Sequence, residues 1–278
     1  MWQRMMSIDR RWIFLAIGLA VILPYVLQAK LPMGSTNRRT QNVYDYIEKA
    51  KPGDAIILGL GYGPASMPEV HPMSIAITRH ALRKNLRVIA MTINVQSALL
   101  IDDIFKQVMA DPEFKNKKDG VDYVNLGFKP GGALVVLGMG DSITKTYAKD
   151  SHGQTTSQMP IFNGIRNFKD IYLLMALEAT TGAGTWIFYG HEKFDVPLAM
   201  GLVAVMANDY YPYLQTGQLI GMINGMKGAA EYENLINHPD RAMLGMTAQS
   251  VSHITIILFV IIGNIGFFVN RRRKRGGR

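Results

Sequence analysis

The sequence predicts an α/β domain with a mostly parallel sheet, set between two apolar spans. Three observations carry that prediction: continuous apolar runs of strand length, amphipathic stretches between them, and two long uncharged segments flanked by basic residues. Strands that read as unbroken apolar runs are buried on both faces, the condition of a parallel sheet covered by helices. Their alternation with helices indicates a Rossmann-like three-layer arrangement of five or six strands.

Residues 12–29, "WIFLAIGLAVILPYVLQA", are free of charge. As a helix they reach roughly 27 Å, close to the hydrocarbon thickness of a bilayer. A cleavable signal peptide is the competing reading, and Leu27 of "LQA" is a poor match to the small residue that cleavage needs. Residues 251–269, "VSHITIILFVIIGNIGFFV", form the second span and run directly into "NRRRKR". The expected division is a basic tail (1–11), a first transmembrane helix (12–29), a central domain (30–250), a second transmembrane helix (251–269) and a polybasic tail (270–278).

Charge supports this division. The first tail sets Arg4, Arg10 and Arg11 against Asp9, a net +2, and the last carries a net +6, leaving +1 of the formal +9 for the rest. A nucleic-acid-binding body clusters its Lys and Arg on one face, so no nucleic-acid partner is expected. Basic flanks stay in the cytoplasm, which places the central domain outside it. Arg271, Arg272, Arg273, Lys274 and Arg275 are expected to meet lipid head groups. There is no cysteine, which excludes disulfides and thiolate chemistry.

Between the spans, a polar linker ("PMGSTNRRTQN") leads to a short helix at 43–50, and "KPGD" turns the chain into a strand at 55–61, "AIILGLG". "HPMSIAITRHALRKN" and "SALLIDDIFKQVMAD" have helical spacing, and "LRVIAMTI" between them reads as a strand. "VDYVNLGF", "ALVVLGMG", "DIYLLMALEA" and "VPLAMGLVAVMA" supply four further strand candidates. The polar stretch 147–166 is the longest loop, and long loops on such scaffolds are commonly functional.

The turn "GLGYGPASMPE" joins the first strand to the first helix, where α/β folds bind phosphate on helix N–H groups. Its spacing is GxGxG rather than GxGxxG, two prolines interrupt it, and no acidic residue ends the second strand. No cofactor is expected; a ligand or partner edge at Gly59, Gly61, Gly63, Ser66 and Glu69 is. Glu178, followed by "ATTGAG", marks a second turn on the same edge. "GMGDSIT" resembles the nucleophile block of the SGNH (GDSL-like) hydrolases, which would make Ser142 the nucleophile, with Asn208-Asp209 as a partial echo of a second block. The Asp-x-x-His that would orient a base is missing, because Leu235 stands three residues before His238. The histidines are scattered and no zincin pair is present, so no metal site is read.

Gly217, Gly221 and Gly225 recur every four residues, and Gly228 continues the series. On a helix this pattern bares one face for close packing, within the domain or between subunits. "HPMSIAITRHALRK", "DYVNLGFKPGG", "LVVLGMG", "YPYLQTGQLIGMINGMKGAAEYE" and "GMTAQSVSHITIILFVIIGNI" together resemble a widespread prokaryotic family of two-span membrane proteins with a central Rossmann-like domain. The resemblance implies fold and topology and brings no activity. The expected function is a non-catalytic binding or assembly component, partnered by the bilayer and by a second copy or another membrane protein. The alternative is an envelope-acting hydrolase or transferase at the strand carboxyl ends, using Ser142 or Glu178.

Overall fold

The computed structural model describes residues 9–276 except Met33, with side chains to Phe268. The chain divides into two units, residues 33–242 and residues 1–32 with 243–278. The first unit is the α/β domain. Its six strands are β1 (Ala55–Gly61), β2 (Arg87–Thr92), β3 (Tyr123–Phe128), β4 (Leu173–Glu178), β5 (Leu198–Leu202) and β6 (Met222–Asn224). They form one sheet in the order β3-β2-β1-β4-β5-β6. Every pairing is parallel. This is the Rossmann-like order, with the topological switch between β1 and β4. All seven residues of β1 are buried, as an apolar run without alternation requires.

One face of the sheet is covered by α2 (Arg38–Glu48), α3 (Met67–Arg83), α4 (Ala98–Met109) and α9 (Gly225–Leu235). The other is covered by α5 (Ala133–Asp141), the short α6 (Ile143–Thr146), the helical segment α7 (183–194) and α8 (Ala207–Gln215), with Ile161 and Phe162 of the long loop and Phe168 just after it. Segment α7 contains a π-helical turn at Trp186–His191.

Helix α3 is buried from Val70 to Leu82 although it carries His71, Ser74, Thr78, Arg79 and His80. Polar groups survive there only when bonded. His71 Nε2 meets Asp103 of α4 at 3.0 Å, and its Nδ1 meets the Tyr62 hydroxyl at 2.9 Å. His80 repeats the pattern, with Glu48 of α2 at 3.0 Å and the Tyr232 hydroxyl of α9 at 2.8 Å. Burial pushes both imidazoles below their ordinary pKa, which keeps them neutral at pH 7. Arg79 donates to Asp111 at 2.7 Å and to Asp240 at 2.6 Å. Removing one partner of so buried a pair costs about 3–5 kcal/mol. Thr40 of α2 donates to Glu231 of α9 at 3.0 Å.

The sequence reading needs three corrections here. "ALVVLGMG" is helix α5, not a strand. Val135, Val136, Met139 and Ile143 are buried while Leu134 is exposed, a helical interval that a short apolar run conceals. The first helix begins at Arg38, five residues earlier than expected, capped by Asn37, whose side chain accepts from Arg39 N–H at 3.0 Å. The glycine series is not one helix. Gly217 lies in a turn at φ +82°, Gly221 leads into β6, and only Gly225 and Gly228 belong to α9. Each is explained inside the domain: a Cβ on Gly221 would stand 2.7 Å from the Arg39 carbonyl oxygen, and one on Gly228 3.0 Å from Ile223 Cγ2.

The second unit contains α1 (Arg10–Val26) and most of α10 (Arg241–Gly276). Leu31 N–H donates to Thr247 Oγ1 at 3.0 Å. Among the described residues one helix, Arg241–Phe268, is long and apolar enough to cross a membrane. The first expected span forms the 17-residue α1, which still exposes Trp12, Phe14, Leu15, Ile22 and Val26. Residues 1–8 of the first basic tail, and the side chains of Arg271, Arg272, Arg273, Lys274 and Arg275, lie outside the described set.

Because Gly221 abuts backbone atoms of α2, Gly221→Ala is expected to destabilise the domain by about 1–3 kcal/mol, the cost of overpacking. Gly18→Ala, with open space around it, is expected to leave the unfolding midpoint unchanged. Thermal unfolding of both variants in detergent checks the contrast.

Candidate functional site at the carboxyl edge of the sheet

In a parallel sheet all carboxyl ends share one edge, and ligands usually bind there at the switch point. Gly59 and Gly61 end β1, Gly63, Ser66 and Glu69 follow it, and Glu178 ends β4, so all six lie at this edge. Gly61 and Glu178 are paired in register.

The three glycines are not a phosphate cradle. A Cβ on Gly59 would stand 2.6 Å from Trp186, one on Gly61 1.8 Å from Glu178 Oε2, and one on Gly63 2.3 Å from Gln96 Oε1. An indole, a carboxyl and an amide occupy the space into which a pyrophosphate would settle. The start of α3 is also poor in free donors. Pro68 has no N–H, and Glu69 places an acid in the first turn and accepts from Ala204 N–H at 2.9 Å. Ser66 precedes α3 without making a side-chain cap bond.

Glu178 is fully buried. Trp186 Nε1 donates to its Oε1 at 2.9 Å, and Thr180 Oγ1 donates to its Oε2 at 3.0 Å. Both donors are neutral. Loss of water therefore dominates, and burial pushes the carboxyl up to about 7 despite those two bonds. Tyr210 of α8 is raised as well, first by its own burial and then by the nearby Glu178.

Ser142 is elsewhere. Helix α5 carries the chain back along the sheet, so Ser142 lies toward the amino edge, where Gly140 abuts Phe194, shortly before β5. Its backbone neighbour Ile143 N–H donates to Arg166 carbonyl. Ser142 Oγ caps α6 by accepting from Lys145 N–H at 3.3 Å. Asn208 and Asp209 open α8 at the opposite edge, so the hydrolase-like blocks do not come together. The placement expected for Ser142, beside the ligand edge, is corrected: the run before it is a crossover helix, not a strand.

The edge has a second property that the sequence reading missed. The turns leaving β2, β3 and β5 expose large apolar side chains: Val95 (66 %), Leu99 (82 %), Leu134 (74 %) and Val205 (84 %). Phe128, the last residue of β3, is 38 % exposed. A groove of about 590 Å³ opens at Leu99 and Phe128, lined also by Asp102, Lys129, Tyr147, Lys149 and Asp150. The available signal was an apolar residue at a turn position that normally takes a polar one.

Comparison of the chain with protein-family models, with curated proteins and with solved structures finds no match.

The folded-state pKa of Glu178 exceeds the unfolded value of 4.5, so its contribution is complete below 4.5 and is lost as pH rises through about 7. Glu178→Gln keeps the shape without the ionisation. Relative to wild type, this variant is expected to gain stability steadily between pH 4.5 and 7 and to hold the gain above. The gain is on the order of 3 kcal/mol. Denaturant midpoints of the two proteins at pH 4.5, 6 and 8 test this; a constant difference would contradict it.

Proposed function

We propose that this protein is a membrane-anchored, non-catalytic binding component whose α/β domain docks a protein partner at the carboxyl edge of its sheet. The observation that carries the reading is the set of exposed apolar side chains on the carboxyl-edge turns, Val95, Leu99, Leu134 and Val205. Soluble surfaces tolerate single exposed leucines, but apolar groups gathered on one edge mark an interaction site. The occupant is a protein rather than lipid. A membrane-lying surface is bordered by Lys and Arg. The turns leaving β1, β2, β3 and β5 ("YGPASMPE", "INVQSAL", "FKPGGAL", "VAVMAND") carry one basic residue, Lys129, beside the acids Asp209 and Glu69; Lys149 in the groove and Lys227 after β6 are scattered, not a basic border. The partner chemistry that fits is an apolar protein face with little charge.

Anchoring rests on α10, whose 241–268 segment can cross a bilayer, and on the exposed apolar side chains of α1. In this reading both helices span, the basic flanks stay in the cytoplasm, and the domain lies outside. An enzyme acting on an envelope substrate is the second reading, favoured by a buried Glu178 whose carboxyl sits near 7, the range of a general acid or base. Trp186 closes over that carboxyl, so substrate would have to displace the indole.

A photo-reactive residue introduced at Leu99, Leu134 or Val205 is expected to capture one defined protein in native membranes. The same residue at exposed Lys49, past the end of α2, is expected to capture none. Val205→Asp combined with Leu99→Asp should abolish capture without lowering the unfolding midpoint. Equal capture from Lys49, or none from any site, defeats the proposal; capture of lipid alone replaces the protein partner with the membrane. Protease access from outside to a C-terminal tag would overturn the orientation.

A further inference from the structure

At the free side of edge strand β3, two turns bring together side chains that no other part of the domain explains. One turn, 119–122, precedes β3 and carries Asp119. The other, 149–155, is closed by an antiparallel bridge between Lys149 and Thr155 and carries Asp150 and His152. It is fastened to the strand by Ser151 N–H, which donates to Asn125 carbonyl at 2.9 Å. One oxygen from each carboxylate and one nitrogen of His152 lie within 4.8 Å of one another.

The two carboxylates are turned toward the same point. Asp119 spends Oδ1 on Gly120 N–H at 3.0 Å, leaving Oδ2 3.7 Å from His152 Nδ1. Asp150 spends Oδ1 on His152 N–H at 3.0 Å and Gln154 N–H at 2.7 Å, leaving Oδ2 3.8 Å from the same nitrogen. Asp150 is only 7 % exposed, and its Oδ2 is buried with no hydrogen-bond partner among the described residues. A buried carboxylate oxygen without a donor costs several kcal/mol unless a positive charge meets it. Beyond the ring, His152 Nε2 faces Asp102 Oδ1 at 3.8 Å, and Asn125 Nδ2 holds that oxygen at 2.7 Å. A carboxylate behind a histidine is the arrangement that fixes a metal-binding imidazole. A recess of about 230 Å³, bordered by Asp102, Phe105, Lys106, Tyr123 and Asn125, opens beside the three groups.

We propose that Asp119, Asp150 and His152 bind a divalent metal ion, with Asp102 orienting the histidine. Donor atoms this close admit a common point roughly 2–2.8 Å from all three, which spans metal–oxygen and metal–nitrogen bond lengths. One imidazole with two carboxylates selects Zn²⁺ or Mn²⁺ over Mg²⁺ or Ca²⁺, which take oxygen ligands alone. Three protein ligands leave positions for water on the side of the recess. The ion joins the two turns and pins the long loop to the unpaired edge of β3, which an open sheet must otherwise protect. The site adjoins the groove at Leu99 and Phe128, whose lining includes Asp102, Asn125 and Asp150, but its metal chemistry does not depend on the docking proposal.

The test is titration of the chelator-treated, full-length protein in detergent with Zn²⁺, Mn²⁺, Co²⁺ and Mg²⁺, read by calorimetry and by thermal unfolding. One equivalent of Zn²⁺ or Mn²⁺ is expected to bind and raise the unfolding midpoint, with Mg²⁺ at least tenfold weaker. Co²⁺ is expected to give visible absorption bands of a nitrogen–oxygen site. Asp119→Asn, Asp150→Asn and His152→Gln should each weaken Zn²⁺ binding at least a hundredfold. Without metal, Asp150→Asn should melt at or above the wild-type midpoint, because it removes an unmatched buried charge; this separates a lost ligand from a lost fold. Absence of binding at millimolar metal overturns the proposal. So does unchanged affinity in any of Asp119→Asn, Asp150→Asn or His152→Gln, or an Mg²⁺ affinity equal to that of Zn²⁺.

Discussion

Helix α3 is the element on which the rest of the domain depends. It lies against the sheet and beneath α2, α4 and α9, and it is buried from Val70 to Leu82. A helix enclosed on every side is normally apolar all round. This one carries two histidines, an arginine and two hydroxyls, and each must find its bond within protein. Ser74 and Thr78 donate to the helix's own Val70 and Ser74 carbonyls, whereas the histidines and the arginine find partners outside it: Glu48, Tyr62, Asp103, Asp111, Tyr232 and Asp240. The helical layer is thereby fixed by direction as well as by contact, because a displaced neighbour strands a polar group in the interior.

The carboxyl edge follows from the same economy of space. Trp186, Glu178 and Gln96 press onto the glycines that end and follow β1, so the usual anion position of the fold is filled by the chain itself. Glu178 becomes a buried acid bonded to Trp186 and Thr180 and not an exposed ligand group. What remains accessible is the apolar rim outside this plug. That division, a filled switch point with exposed apolar side chains on the turns around it, is the ground on which we propose a protein face rather than a small anionic substrate as the occupant.

The far edge of the sheet solves a different problem. Among the described residues strand β3 has no neighbouring strand on its outer side, and the 149–155 turn covers it through the Ser151–Asn125 bond. Asp119, Asp150 and His152 concentrate charge where the covering turn meets the strand. An ion bound there makes the cover of that edge depend on metal.

The sequence by itself determined the α/β class, the parallel sheet and most of its strands, because strands buried on both faces must be written as continuous apolar runs. The bounds of "AIILGLG" coincide with β1 for that reason. The C-terminal apolar helix was equally plain. Tertiary structure decided what those runs could not express. "ALVVLGMG" is a helix because the core it faces accepts a helical interval, and short apolar runs suit either geometry. The glycines at 217, 221, 225 and 228 answer separate needs, a positive φ at two of them and close neighbours at the others, and a fourfold spacing in sequence cannot show that. Ser142 lost its place beside the ligand edge once the run before it proved to be a crossover helix. Asp119 and His152 stand more than thirty residues apart, and only the packing of two turns on one strand brings them within reach of a common ion.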